Sequence, residues 1–123
     1  MRNSLFVAET GTRGEYYKAV LVPENIIVGM GGVFHRAWWP KSLCGLGWFF
    51  VHPSVLGKGI SKAILLTIER KAKEMGFDFM FVDTDNKLVA ANKFYQKNGY
   101  TKAAEIPDYY GDGVSYVVYA KKI

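Results

Sequence analysis

The residues whose types and spacing could do chemistry centre on Leu56-Gly57-Lys58-Gly59-Ile60-Ser61. This stretch follows the apolar run Phe49-Phe50-Val51-His52, closed by Pro53, and leads into a helical pattern. The first turn of a helix leaves backbone N–H groups without intrahelical partners, and the aligned peptide dipoles add positive potential. A strand, a glycine-rich turn and a helix start therefore make a cradle for an anion. Gly57 and Gly59 let the backbone turn tightly and approach a bulky ligand, and Lys58 adds a charge at the rim. The pattern fits neither the dinucleotide fingerprint nor the P-loop, so a plain tight turn that starts a helix is the alternative reading. Cys44, His35 and His52 lack the spacing of metal ligands, and no Ser-His-Asp or Cys-His arrangement is legible. Cys44 reads as a bystander rather than a nucleophile.

The elements that must position the cradle follow from periodicity and breakers. Residues 4–9 read as a strand and residues 11–14 as a turn. Residues 15–22 fit a strand or a helical turn, and Pro23-Glu24-Asn25 ends them. Residues 26–34 read as a strand whose three glycines, Gly29, Gly31 and Gly32, demand a bulge or a close neighbour. Trp38-Trp39-Pro40 lies in a connection that lines a pocket, contacts a second copy or caps the core. Residues 46–52 form the next strand. The helix after the turn spans 58–74, with Ile60, Ala63, Ile64, Thr67, Ile68 and Ala72 as its buried stripe and Gly76 as its stop. Residues 77–82 form a strand apolar on both faces, suited to a parallel neighbour, so strand, helix and strand make a right-handed crossover. Asp83-Thr84-Asp85 caps a second helix running from about Asn86 to Lys97 and closed by Asn98-Gly99. Residues 100–106 and 114–120 pair as a hairpin around the loop 107–113. The expectation is an α/β fold with a mixed sheet in one domain, residues 1–123.

Bulk composition narrows the classes. A chain of 123 residues, 50% hydrophobic and 15% aromatic, builds one modest core and is not disordered. It has no apolar run of about 18 residues, so no membrane span is expected, and no signal-peptide pattern is legible after Met1. The single cysteine permits no internal disulfide, which points to a cytoplasmic setting. The net charge of +5 is spread along the chain rather than gathered, so no nucleic-acid partner is expected. It suits a polyanionic small ligand.

At this point the chain resembles the GNAT superfamily of N-acetyltransferases, over residues 26–123. Two segments carry the resemblance. The family's Gln/Arg-x-x-Gly-x-Gly/Ala signature falls on residues 56–61: Gly59 matches, Leu56 replaces the usual Arg or Gln, Ser61 replaces Gly or Ala, and Lys58 occupies a commonly basic position. The segment Ala91-Asn92-Lys93-Phe94-Tyr95-Gln96-Lys97-Asn98-Gly99-Tyr100 is similar to the family's Ala-x-x-Leu/Phe-Tyr-x-x-x-Gly-Phe/Tyr.

The resemblance implies a splayed mixed sheet flanked by helices, here with a shortened N-terminal part, and acetyl-CoA as cosubstrate. It implies that the main-chain amides of Leu56, Gly57, Lys58, Gly59, Ile60 and Ser61 hold the diphosphate. The pantetheine arm would lie along the main chain of Phe50 and Val51, with a backbone N–H near Val51 for the developing negative oxygen. Tyr95 would be the general acid that protonates the departing thiolate. An asparagine common in the family is replaced here by Leu88, which leaves Asn86 or Asn92 to reach the coenzyme. The amine must lose a proton before attack; Asp83, Asp85, Glu105, His35 and His52 are the groups available, and Asp83 is taken forward. The implied reaction is direct transfer of acetyl to a primary amine of a small molecule or peptide, with Tyr109 and Tyr110 near the acceptor. Only about 25 residues precede residue 26, so either the site is left more open or a partner subunit completes it, and a homodimer is expected on this ground. A non-catalytic acyl-CoA binding module and an interaction protein using Trp38, Trp39 and Phe49 are the competing readings.

Overall fold

The structure, a computed structural model, describes residues 4–9, 15–22, 26–53 and 59–123. The elements are β1 (Ser4–Glu9), β2 (Glu15–Val22), β3 (Ile26–Phe34), β4 (Leu43–Val51), α1 (Ile60–Glu74), β5 (Phe79–Asp85), α2 (Val89–Lys97), β6 (Thr101–Ile106) and β7 (Tyr116–Lys122). All seven strands join one sheet in the order β1-β2-β3-β4-β5-β7-β6. Residues 15–22 are thus a strand, paired antiparallel with β1 and with β3.

Among the described residues the only parallel pair is β4 with β5, and it is short. Leu43, Cys44 and Gly45 face Phe79, Met80 and Phe81. Beyond them β4 stays with β3 as far as Val51, while β5 stays with β7 as far as Asp85. The two strands therefore part along their C-terminal halves, and the splay expected of the sheet is present.

Helix α1 covers one face of the sheet. Ile64, Leu65, Ile68 and Ala72 are buried with Val28, Cys44, Leu46, Met80 and Val82. This contact explains two of the three glycines of β3. A Cβ on Gly29 would stand 2.7 Å from Ile64 Cδ1, and one on Gly31 would stand 2.6 Å from Ile68 Cδ1. The strand gives up side chains so that the helix can approach. Opposite Gly31, β4 carries two residues, Trp48 and Phe49, where β3 carries one. That is a β-bulge, and it re-aims the end of β4.

Several boundaries differ from those expected, and β7 lies two residues later than the 114–120 read from the sequence. Strand β4 starts at Leu43, because residues 43–45 supply the parallel pairing. Asp83, Thr84 and Asp85 lie inside β5, in register with Val118, Val117 and Tyr116, rather than ahead of a helix. Helix α2 begins only at Val89; its N-cap is Leu88, without a side-chain cap. Asp85 still organises the approach, since its Oδ1 accepts the N–H groups of Lys87 at 2.8 Å and Leu88 at 3.2 Å. Both helices end as expected. Gly76 and Gly99 have φ of 98° and 92°, and the following N–H groups, of Phe77 and Tyr100, return to Ala72 O and Tyr95 O, the Schellman arrangement.

Candidate active site

A cleft of about 710 Å³ opens between the end of β4, the start of α1 and the length of α2. Its β4 wall is Phe49 and Val51. Its floor at the helix start is Gly59, Ser61 and Lys62, and its α2 wall includes Ala91, Phe94, Tyr95 and Asn98. Phe49 stacks on Phe94, ring centroids 5.8 Å apart, which joins the two walls.

At the floor, Gly59 holds φ 75°, a left-handed conformation that favours glycine. A Cβ there would meet nothing within 4 Å among the described residues. The first turn of α1 contains no acidic residue, and Lys62 adds a cation to the cleft. The N–H groups of Ile60 and Ser61 point out of the helix start. The donor set and the free volume fit a diphosphate. Leu56, Gly57 and Lys58 lie outside the described residues.

Along the β4 wall, the His52 N–H donates to Val28 O at 2.7 Å, toward β3. Successive residues of a strand alternate their hydrogen-bonding direction. The Val51 N–H is therefore turned away from β3, toward the splay. The Phe50 carbonyl oxygen lies close to Gly29, on the β3 side, and the Phe50 side chain is exposed. Of these two, Val51 offers its main chain to the cleft.

Tyr95 is 6% exposed and lines the cleft. Its ring is fixed by Phe94, Tyr100 and Tyr119 at 5.6, 5.8 and 6.0 Å. Burial, with the charge of Asp83 adding to it, pushes its phenol up to about 12. Among the described residues its hydroxyl has no hydrogen-bond partner. A buried, protonated donor that no described residue satisfies can serve a bound group.

Asn92 has a different place. Its Nδ2 donates to Asp85 O at 2.9 Å and Leu88 O at 2.8 Å, and its Oδ1 accepts the Tyr119 hydroxyl at 2.6 Å. The side chain fastens α2 to β5 and β7 and does not line the cleft. Asn86 is also engaged, through Gly113 O and the Ser115 N–H.

Among the groups able to take a proton, Asp83 and Asp85 stand at the splay, on the face of β5 opposite buried Met80 and Val82. Asp83 Oδ2 accepts the Tyr116 hydroxyl at 3.0 Å. Glu105 is on an edge strand, paired with Lys102 at 2.7 Å. His35 Nδ1 bonds Leu43 O at 2.8 Å, with its ring against Trp39 and Phe77. Trp39 packs on Phe34 and Phe81 as a cover for that face, whereas Trp38 is 79% exposed.

The sequence reading passed over Lys62, Phe94 and Asn98 as site residues. Phe94 and Asn98 were on view as helix length and helix stop, at the three- and four-residue spacing from Ala91 and Tyr95 that places them on one wall. Tyr116 was passed over too, although strand alternation with Val118 signalled its face.

The model of the Acetyltransferase (GNAT) family matches residues 4–100. The chain belongs to the GNAT acetyltransferase family. A curated relative, the uncharacterized N-acetyltransferase YjgM of Escherichia coli (strain K12), is 30% identical over 77 residues, which are 63% of this chain and 46% of the relative. The match thus spans less than half the length of that relative. The GNAT fold recurs in solved structures. The IAA acetyltransferase from Bacillus cereus ATCC 14579 is similar at TM-score 0.82 and 19% identity, covering 98% of this chain and 100% of that one. The Bacillus subtilis acetyltransferase in complex with CoA is similar at TM-score 0.81 and 17% identity, covering 99% of each. A GNAT family acetyltransferase from Elizabethkingia anophelis with acetyl-CoA bound is similar at TM-score 0.79 and 15% identity, covering 98% of each. Among the described residues, no helix of this GNAT chain is long and apolar enough to cross a membrane.

Proposed function

We propose that this protein is an acetyl-CoA-dependent N-acetyltransferase that acts on a primary amine by direct transfer, with Tyr95 as general acid and Asp83 as general base. The observation that carries the reading is buried Tyr95, whose hydroxyl has no partner among the described residues, in the wall of a cleft whose floor is a helix N-terminus. Acetyl-CoA supplies an activated acyl group on a thiol leaving group. The amides of Ile60 and Ser61 hold its diphosphate, Lys62 adds charge, and the segment 56–58 is assigned to the same cradle. Val51 offers its N–H for hydrogen bonding in the splay, where charge develops on the acyl oxygen. Asp83 takes the proton from the amine, and its hydrogen bond from Tyr116 fixes the carboxylate. Tyr95 stays protonated across the physiological range, because burial opposes its phenolate, and it gives its proton to the departing sulfur. Asn92 acts as a positioning residue through its grip on Tyr119 and the start of α2. Phe50, first assigned to the pantetheine, is left with a supporting place beside Val51. A cytoplasmic setting and a homodimer belong to the same proposal.

Turnover of acetyl-CoA against a panel of primary amines, read by release of the free thiol, tests this. Tyr95→Phe is expected to lower kcat by roughly 100-fold or more and to leave the calorimetric affinity for acetyl-CoA within about twofold. An unchanged kcat removes Tyr95 from the chemistry. The competing reading, a non-catalytic acyl-CoA binding module, requires binding heat with no thiol release from any amine.

A further inference from the structure

Tyr109, Tyr110 and Tyr116 meet in a corner on the sheet face opposite α1. Tyr109 lies 4.9 Å from Tyr110 and 4.9 Å from Tyr116, ring centroid to centroid, with interplanar angles of 88° and 44°. Tyr110 and Tyr116 close the triangle at 6.1 Å. The rings are set at angles rather than stacked, and Tyr109 and Tyr110 remain 59% and 55% exposed. They stay accessible to solvent beside the end of β5. Asp83 and Asp85 flank them, and Asp85 is in register with Tyr116. Each carboxylate uses one oxygen inside the protein, Asp83 for the Tyr116 hydroxyl and Asp85 for two backbone N–H groups. Among the described residues neither is paired with a cation.

The charge of this corner runs against that of the chain. Residues 83–87 and 107–116 hold Asp83, Asp85, Asp108 and Asp112 against the single cation Lys87, in a protein of net charge +5. Lys87 approaches the loop at Gly113, 3.9 Å from where a Cβ would stand, and Asp108 is turned inward to the Gly113 N–H. Carboxylates and tyrosine faces both attract a cation.

Resting on the acetyl-transfer reading above, we propose that this corner holds an ammonium group of the acceptor, and that the acceptor is a short aliphatic diamine or polyamine. The reason lies in a conflict that a monoamine cannot resolve. The attacking nitrogen must be neutral, whereas the corner favours a charged one. With two amino groups, one stays protonated against the tyrosines and Asp85 while the other is deprotonated beside Asp83. The two carboxylates are two residues apart on one face of a strand, about 7 Å along it, a spacing suited to the two ends of a short chain. In the transfer the second nitrogen forms a bond to the acetyl carbonyl carbon and the carbon–sulfur bond breaks. The amine's extra proton passes to Asp83 and on to solvent, and the sulfur takes the Tyr95 proton. Once the nitrogen's remaining excess proton restores Tyr95, the products are the monoacetylated diamine, still carrying one ammonium, and the free thiol of coenzyme A.

The test compares diaminobutane with aminobutane as acceptors for the full chain. Diaminobutane is expected to exceed aminobutane in kcat/KM by about tenfold or more. Asp85→Asn keeps an oxygen for the Lys87 and Leu88 N–H groups and removes only the charge. It is expected to erase most of that preference, lowering kcat/KM for diaminobutane by about tenfold and for aminobutane by clearly less. Binding of diaminobutane, followed by NMR of the tyrosine rings, is expected to weaken by about tenfold in Tyr109→Leu. Equal turnover of the two amines, or diamine binding that ignores both substitutions, overturns the proposal. Absence of thiol release from every amine together with absence of acetyl-CoA binding overturns the enzyme reading itself. Tyrosine-ring binding of diaminobutane is read separately, and its absence overturns the acceptor proposal whatever the turnover.

Discussion

The Tyr100 hydroxyl donates to Glu69 Oε2 at 2.8 Å, tying the turn after α2 to the helix whose N-terminus floors the cleft. The other oxygen of Glu69 takes the Lys121 ammonium at 2.9 Å. Glu69 is only 7% exposed, so its charge depends on both partners. Removing one partner of a buried pair leaves an uncompensated charge, at roughly 3 kcal/mol or more. Lys121→Met is therefore expected to destabilise the fold by about that amount, with the cradle and Tyr95 losing their common reference. Lys102→Met, at the exposed, solvent-screened pair with Glu105, is expected to leave stability nearly unchanged. Urea unfolding of the two variants makes the comparison, and equal midpoints would contradict it.

Gly29 and Gly59 are expected to respond to alanine in different ways. A Cβ on Gly29 would press on the Phe50 carbonyl oxygen at 2.7 Å as well as on Ile64. The former is backbone and cannot swing aside. Overpacking of this kind costs roughly 1–3 kcal/mol, and the thermal midpoint of Gly29→Ala should fall accordingly. At Gly59 nothing among the described residues lies within 4 Å, and the φ of 75° opposes a side chain. Gly59→Ala should lose about 1 kcal/mol and, through the altered helix start, part of the affinity for acetyl-CoA. Calorimetry on the folded variant separates the two effects.

Most of the architecture was legible because its signals are local. The apolar run of β5, the stripe of α1 and the glycine stops at Gly76 and Gly99 each follow from near-neighbour chemistry. The second motif led to Tyr95, and the first to the start of α1. What could not be read depends on pairing between distant segments. The aspartates before α2 look like caps in sequence, but β7 draws them into a ladder as far as Asp85. Asn92 looks like a polar group for the coenzyme until Tyr119, 27 residues away, claims its oxygen. Two of the three glycines of β3, Gly29 and Gly31, have the close neighbour that the sequence demands, in Ile64 and Ile68 of α1.

Cys44 should be silent toward thiol reagents in the native state. It is 0% exposed, its Sγ donates to Phe79 O at 3.4 Å, and burial pushes its thiol up to about 12. The thiolate is the reactive species. Labelling at neutral pH should therefore follow global or local opening rather than direct attack, and should speed up with urea. A thiol-detection assay of turnover should carry no background from the folded enzyme. Rapid stoichiometric labelling without denaturant would refute this.

The tyrosines of the cleft set the behaviour at high pH. Tyr95 is raised from 10 to about 12, with burial as the larger cause and Asp83 as the lesser, and Tyr100 is raised further by burial and Glu69. Above pH 10 the unfolded chain gives up these protons while the folded chain keeps them. The unfolded state then binds fewer protons, so stability falls as pH rises. The contribution is intact below pH 10 and is lost progressively toward pH 12 for Tyr95, by up to about 1.4 kcal/mol per pH unit for each tyrosine. Tyr95→Phe removes one such group and should flatten the decline by about that slope. Because the hydroxyl holds its proton through this range, turnover in the wild type should show no loss of the general acid below pH 10. A fall in kcat well below that pH, with the fold intact, would place the acid elsewhere.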